Sequence, residues 1–331
     1  MTNKKLFKTL SLILACMIAL LSFSMVSCGD DDGKLKIGVI QLGSHPSLDN
    51  CYNGILQGLE ASEYAGKYTI DRQDGNFDSA ACDTIAGNMV AKNYDMIIAI
   101  ATNAAVSAYA AAANSDIPVV FCAVSDPVLA GLCDSMEASG GNVTGTSDIL
   151  DLAAQVDLIT AFQPDVKKIG VLYTTDEANS ISQLNRLKEV AAAKGIEIVE
   201  QSVNTAADIP QAATSLAAKV DCINNFTDNN VVKNLGTLLE IAGEAGIPVY
   251  GSEVEQVKNG CLASISIDYV KLGEVTAEMA VKVLNGEDAS AMAVGQITEG
   301  TPVVNTEVAE KFGLAIPEAY ANAELVTTNA E

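Results

Sequence analysis

Tryptophan is absent from the 331 residues of this chain, and histidine occurs once. A lone histidine excludes every zinc motif that needs two. Basic residues are scarce: 19 Lys and Arg stand against 42 Asp and Glu, a formal net charge of −23. Such a chain lacks the Lys/Arg face that a phosphate backbone requires, so no nucleic acid is expected as a partner. Eight cysteines are present but no Cys-x-x-Cys pair, which removes zinc ribbons and thioredoxin-type redox motifs. Gly66-Lys67 is followed by Tyr68, so there is no Walker loop, and no Gly-x-Ser-x-Gly elbow or Asp-x-Asp-x-Asp-Gly calcium loop occurs. Carboxylates are many but scattered, with no pair singled out as acid and base. His45, next to Pro46, reads as shaping or lining a loop rather than as a catalytic base. An enzyme, a cofactor and a metal are therefore not expected. What is present is an apolar fraction of 49% and enough length for one large domain or two ordinary ones.

The first segment reads as an address. Lys4, Lys5 and Lys8 form a basic region, followed by an apolar run from Leu10 to Phe23. That run has the length of a signal-peptide core and is short for a membrane span. Ser24-Met25-Val26-Ser27-Cys28-Gly29 then looks like a lipobox, with Met25 where Leu is commoner. An ordinary secretory signal with an incidental cysteine is the other reading. The cysteine's place at the end of the apolar run favours the lipoprotein. Residues 1–27 are then a signal peptide, Cys28 carries the lipid, and 28–34 form a polar tether. The expected location is extracytoplasmic, lipid-anchored to a bacterial membrane. Of the remaining cysteines, Cys51, Cys82, Cys122, Cys133, Cys222 and Cys261, buried free thiols are the favoured reading. Cys51–Cys82 or Cys122–Cys133 pairing stays open.

Beyond residue 35, short apolar runs alternate with longer amphipathic ones. Strands are predicted at 36–41, 68–72, 95–100, 117–123 and 142–145, with helices from Leu48, from Asp78 as cap to Lys92, and over 104–113. The pattern then restarts: helix 150–162, strand 168–173, helix 179–194 stopped by Gly195, strand 196–200, helix 207–218, strand 220–226, helix 229–245, strands 247–251 and 261–267, and helix 269–284. This is an α/β chain whose restart argues for two doubly wound parallel-sheet lobes. The expected division is 35–148 plus about 286–305 for the first lobe and 149–285 for the second, with 306–331 packing on both.

Such sheets bind ligands beyond the carboxyl ends of their strands, which selects candidates. The strand-end segments contain Gln41, His45, Leu48 and Asp49; Thr102 and Asn103; Ser125 and Asp126; Glu177, Asn179 and Ser180; Asp228 and Asn229; Ser252 with Glu253; and Asp268 with Tyr269. Several stand at helix N-termini, whose free N–H groups suit a carboxylate or phosphate. The same residue types are also the preferred N-caps, so the expectation rests on the set rather than on any member.

These runs resemble the ABC-transporter substrate-binding lipoproteins of the tryptophan/tyrosine-type group, with a periplasmic-binding-protein type I fold. The resemblance is carried by Ile37–Val39 with Gln41, His45-Pro46-x-Leu48-Asp49, Ala101-Thr102, Ser125-Asp126-Pro127, Gly140–Gly145, Ile169–Tyr173, Glu177-x-Asn179-Ser180, Thr227-Asp228-Asn229, Ile247–Val249 and Asp268-Tyr269-x-x-Leu272-Gly273. It spans residues 35–318, with Asn103 as a departure where the family often has Pro. It implies a two-lobe clamp with hinge segments near residue 148 and twice more near the C-terminus. The clamp would close on a small ligand, an amino acid and often an aromatic one, and deliver it to ABC permease and ATPase subunits. For an α-amino acid, the carboxylate is expected at Ser180, Asn179 and their helix N-terminus, with Thr102 and Ser125 adding donors. The ammonium is expected at Asp228, with Asp126 or Asp268 behind it, and Tyr52, Tyr109, Phe226 and Tyr269 are candidate aromatic walls. A sugar, nucleoside or other small metabolite in the same clamp, or a sensor without transport, are the alternatives.

Overall fold

The computed structural model describes residues 33–297 and 299–329. The signal peptide, Cys28 and most of the tether lie outside the described residues. Strands β1 (Leu35–Gln41), β2 (Tyr68–Asp74), β3 (Met96–Ile100), β4 (Val119–Cys122) and β5 (Val143–Ser147) come first, joined by helices α1 (Pro46–Glu60), α2 (Ser79–Ala91) and α3 (Thr102–Ala112). Helix α4 (Leu152–Phe162) leads to β6 (Lys168–Thr174), α5 (Ala178–Ala193), β7 (Glu197–Val203), α6 (Ile209–Ala217) and β8 (Cys222–Asn224). Helices α7 (Asn229–Lys233) and α8 (Leu235–Glu244) precede β9 (Val249–Tyr250), α9 (Val254–Lys258) and β10 (Ala263–Ser266). The chain ends with α10 (Tyr269–Leu284), β11 (Gly295–Gln296), β12 (Thr301–Asn305), α11 (Thr306–Lys311) and β13 (Glu324–Val326).

Two parallel sheets result, β11-β5-β4-β3-β1-β2 and β7-β6-β8-β9. A smaller sheet, β10-β12-β13, has one antiparallel pair. The central strand β3, Met-Ile-Ile-Ala-Ile, is buried at every position, as a strand covered on both faces must be. Asp78 starts α2 by accepting the N–H groups of Ala80 and Ala81. Helix α3 buries Ala104, Ala105, Ala108 and Ala112, whose small side chains bring it close to the sheet.

The expected lobe boundaries need correction. Helix α10, placed by sequence in the second lobe, puts Tyr269, Leu272, Ala277 and Ala280 into the first core. It packs on α1 at glycines: a Cβ on Gly54 would lie 1.9 Å from the Val270 carbonyl oxygen, and one on Gly273 2.1 Å from that of Cys51. Strand β12, placed in the first lobe, pairs with β10 and buries Val304 in the second core. The C-terminal segment builds the second lobe itself, through Val308, Ala309 and β13. The predicted helix 229–245 is two helices, broken where Asn234 turns its side-chain amide to the Asn230 carbonyl.

The chain thus passes between the parallel sheets after β5, between β10 and α10, and between β11 and β12. All six cysteines of the described residues are buried free thiols, and Cys51 faces Cys122 rather than Cys82. Among the described residues no helix is long and apolar enough to cross a membrane.

Candidate functional site

The carboxyl ends of β1, β3, β4 and β5 face loops of the second lobe across a narrow cavity with an empty volume of about 360 Å³, part of it open to solvent. His45, Ser47 and Leu48 line it from the start of α1. Ala101 and Thr102 come from the end of β3, Ala123 and Ser125 from the end of β4, and Asp148 from the end of β5. Asn179, Thr227, Asn229, Val232, Glu253 and Gln256 line it from the second lobe, with Tyr269 at the head of α10.

Several buried polar atoms there have no partner. They include Thr102 Oγ1 and Asn179 Oδ1, while the buried His45 ring lies against the Asn229 side chain. Each such atom costs about 1–3 kcal/mol unless something bonds it. Burial pushes His45 down to about 4, so its imidazole is neutral, stacked on Phe77 at 6.2 Å. Ala101, with φ 79° and ψ 157°, occupies a region that is essentially glycine's own, and Ala123 also has positive φ. Two strained alanines on adjacent strands at the cavity wall are the kind of cost that clusters at binding sites.

Of the residues selected from the sequence, His45, Leu48, Thr102, Ser125, Asn179 and Asn229 line the cavity. Asn103 and Glu177 line a neighbouring hollow. Others are engaged elsewhere. Gln41 donates to Asp49 at 3.0 Å and accepts from Arg72 at 2.8 Å, while Arg72 also bonds Asp49 and lies over the Tyr52 ring. Partial burial works against the Asp49 charge, yet hydrogen bonds from Gln41, Ser44 and Arg72 hold its carboxyl below the usual value. This cluster braces the His45 loop rather than the cavity. Asp268 is an exposed N-cap of α10, Phe226 is core, and Ser252 Oγ donates to the Asn225 carbonyl.

Asp228, the expected ammonium partner, is already saturated. It accepts from Thr174 N and Oγ1, Ser180 Oγ and Val231 N at 2.6–2.9 Å. Glu177 beside it accepts from Asn179 Nδ2, the backbone and side chain of Asn229, and Asn230 N. Burial, and then the Asp228 charge, push Glu177 up to about 8, and burial raises Asp228. The start of α5, expected to hold the ligand's carboxylate, has no side-chain cap, but its Asn179 and Ser180 side chains are turned to the fold's own acids, Glu177 and Asp228.

Sequence reasoning did not place Asp148, Ser47, Val232 or Gln256 in the site. Asp148 accepts Ser125 Oγ and Tyr269 OH, both at 2.8 Å. Glu253, noted only as a strand-end residue, caps α9 through the N–H groups of Glu255 and Gln256. Burial raises Asp148 and takes Glu253 up to about 7. Among the described residues neither forms an ion pair. Contacts across the cleft join the lobes: Ser182 Oγ to Asp126 Oδ2 at 2.6 Å, Gln183 Nε2 to Ser125 Oγ at 3.1 Å, and Lys233 Nζ over the Phe77 ring at 4.4 Å.

Two parallel-sheet lobes meeting over a buried polar cavity define a solute-binding protein. Residues 36–325 match the model of the ABC transporter substrate binding protein family, and the chain belongs to that family. It is a binding component of an ABC transporter and not an enzyme. A tyrosine-binding protein of Clostridioides difficile is 37% identical over 317 residues, 91% of this chain and 90% of that protein. The structure of an ABC domain from Streptococcus pneumoniae in complex with L-Trp is similar at 34% identity and a TM-score of 0.86, covering 88% of this chain and all of that one. The ligand-free, open structure of a Clostridium difficile substrate binding protein with adhesive properties has 38% identity but a TM-score of 0.69, covering 89% of this chain and all of that one. At similar identity, the TM-score to the tryptophan complex exceeds that to the ligand-free, open structure.

Proposed function

We propose that this protein binds an aromatic amino acid, tyrosine or tryptophan first, between its lobes and hands it to an ABC permease and its ATPase. The observation that carries the reading is the cavity itself, where buried polar atoms of Thr102 and Asn179 lack partners that a ligand would supply. The relatives named for tyrosine and L-Trp support the ligand class. His45, Leu48, Thr102, Ser125, Asn179 and Asn229 are the proposed contacts from the original selection, joined by Asp148, Glu253 and Tyr269. Tyr269, Leu48 and Val232 supply apolar wall. Closure is a hinge motion of the three crossing segments, stabilised when both lobes touch the ligand. The lipobox at Cys28 proposes a lipid anchor on the outer side of a bacterial membrane, after removal of residues 1–27.

Calorimetry on residues 29–331, unfolded and refolded to strip carried-over ligand, tests this. The panel holds tyrosine, tryptophan, phenylalanine, sugars and nucleosides. Binding of the aromatic amino acids alone is the expected result. Binding of a sugar or nucleoside instead keeps the clamp and overturns the ligand class.

A further inference from the structure

Asn76 and Phe77 are consecutive residues in the left-handed region, at φ 52° and 62°. Asparagine tolerates that region, but a phenylalanine there is strained. The turn is held in place by the end of β1: Gly75 N donates to the Gln41 carbonyl at 2.8 Å and Phe77 N to that of Leu42 at 2.7 Å. The strain does not serve core packing, because the half-buried ring is not part of the first core.

The ring stands instead at the rim of the cleft. It stacks on His45 with 6.2 Å between ring centroids and 17° between planes. A Cβ on Gly43 would run into it, so a glycine there leaves the ring its place. From the second lobe, Lys233 Nζ lies over the same ring at 4.4 Å. Asp78, Asp176 and Glu177 line the hollow around Lys233, yet it forms no ion pair with them and its ammonium goes to the ring.

His45 and Phe77 line different spaces. His45 lines the ligand cavity, and Phe77 lines the neighbouring hollow, about 1000 Å³ counting the solvent at its mouth. Asn229 lines both, and Thr102 of the cavity is followed in the chain by Asn103 of the hollow. The stacked pair from the first lobe and Asn229 from the second therefore stand at the boundary between the two spaces.

We infer that the Phe77 ring is a gate between the cavity and this hollow, held shut by Lys233 of the opposite lobe, and that it sets how fast the ligand leaves. This rests on the cavity being the ligand site and adds the route out of it. An aromatic ring suits the task, since it excludes water from the cavity and offers the cation a face. The contact spans the lobes, so it breaks as they part. The strained turn keeps the ring at the rim without help from the second lobe, so closing does not have to order it first.

The chain has no tryptophan, so stopped-flow fluorescence follows L-tryptophan itself as it binds residues 29–331 and leaves them. A cation over a ring at an exposed site is worth about two- to fivefold. Lys233→Met should therefore speed release by that factor with little change in association. Phe77→Leu should speed both release and association, so that its Kd moves less than its release rate. The double variant should release no faster than Phe77→Leu, because the lysine acts through the ring. Lys233→Arg should keep the parent's rate, and Gly43→Ala, which crowds the ring from its own lobe, should speed release. Release from Lys233→Met at the parent's rate overturns the inference, as do unchanged rates in Phe77→Leu or losses that multiply in the double variant. Lys233 is exposed, so Lys233→Met should fold as the parent does, and urea unfolding checks the other variants. A parent that does not bind L-tryptophan fails that part of the ligand reading instead, and the compound of the panel that does bind is then followed by release of its labelled form.

Discussion

Ala101 shows at the scale of one residue how a site is held at a cost. Its backbone lies where a Cβ is strained, at about 1–3 kcal/mol. Ala101→Gly should relieve this, offset in part by the freer unfolded chain, and stabilise the protein by about 1 kcal/mol in urea unfolding. Ala101→Val should destabilise it. Glu177 gives a pH signature. Its carboxyl is raised to about 8 by burial and by Asp228, against an ordinary value of 4.5. Between those values the folded state holds the proton more tightly, so stability falls as pH rises. His45, lowered to about 4, acts in the opposite sense but only below its ordinary 6.5. From pH 6.5 to 8 the melting temperature of the ligand-free protein should therefore fall; Glu253, raised to about 7, adds to the fall at the lower end of that range, and Glu177→Gln should flatten the part above pH 7. Asp228 shows what sequence could not say at this scale. It stands at a strand end like a ligand contact, but four donors of its own lobe fill its lone pairs. Caps, braces and ligand contacts share residue types, and only the count of filled bonds separates them.

The elements were largely legible where burial is two-sided. β1, β3, β4 and β6 are short apolar runs because parallel strands are covered on both faces, and their helices carry one apolar stripe. β11, β12 and β13 were not read. They are two to five residues long, and β12 contains Pro302, so neither run length nor alternation marks them. Which core α10 joins was also hidden, because an amphipathic stripe does not name its partner. The glycines of the α1–α10 contact decide it by letting backbones touch. Gly54→Ala or Gly273→Ala should each cost about 1–3 kcal/mol, seen as a lower urea midpoint, since the obstructing atoms are backbone carbonyls that cannot swing aside.

At the scale of the whole molecule, the contacts that join the lobes are few and polar. Ser182→Ala removes the hydroxyl that donates to Asp126 across the cleft. A hydrogen bond to a charged group is worth about 1.5 kcal/mol or more, so affinity for the ligand should fall about tenfold, mainly through faster release. Where the lobes part on loss of ligand, as proposed above, unfolding of the ligand-free protein should change little. Saturating ligand should raise stability by about 2.7 kcal/mol at 100 times its dissociation constant, read as a higher melting temperature. It should also reduce the radius of gyration in solution scattering.

The amino-acid order by itself determined the α/β alternation, its restart as a second lobe, and the strand ends that meet at the cavity. Local periodicity and turn chemistry carry all of these, and they need no partner from afar. Tertiary structure alone decided which acids face the cavity and which are consumed within a lobe. Asp148 and Glu253 line one cavity only because residues 105 positions apart fold to the same cleft. Burial of charge is a property of that assembled cleft, and no single segment of the chain carries it.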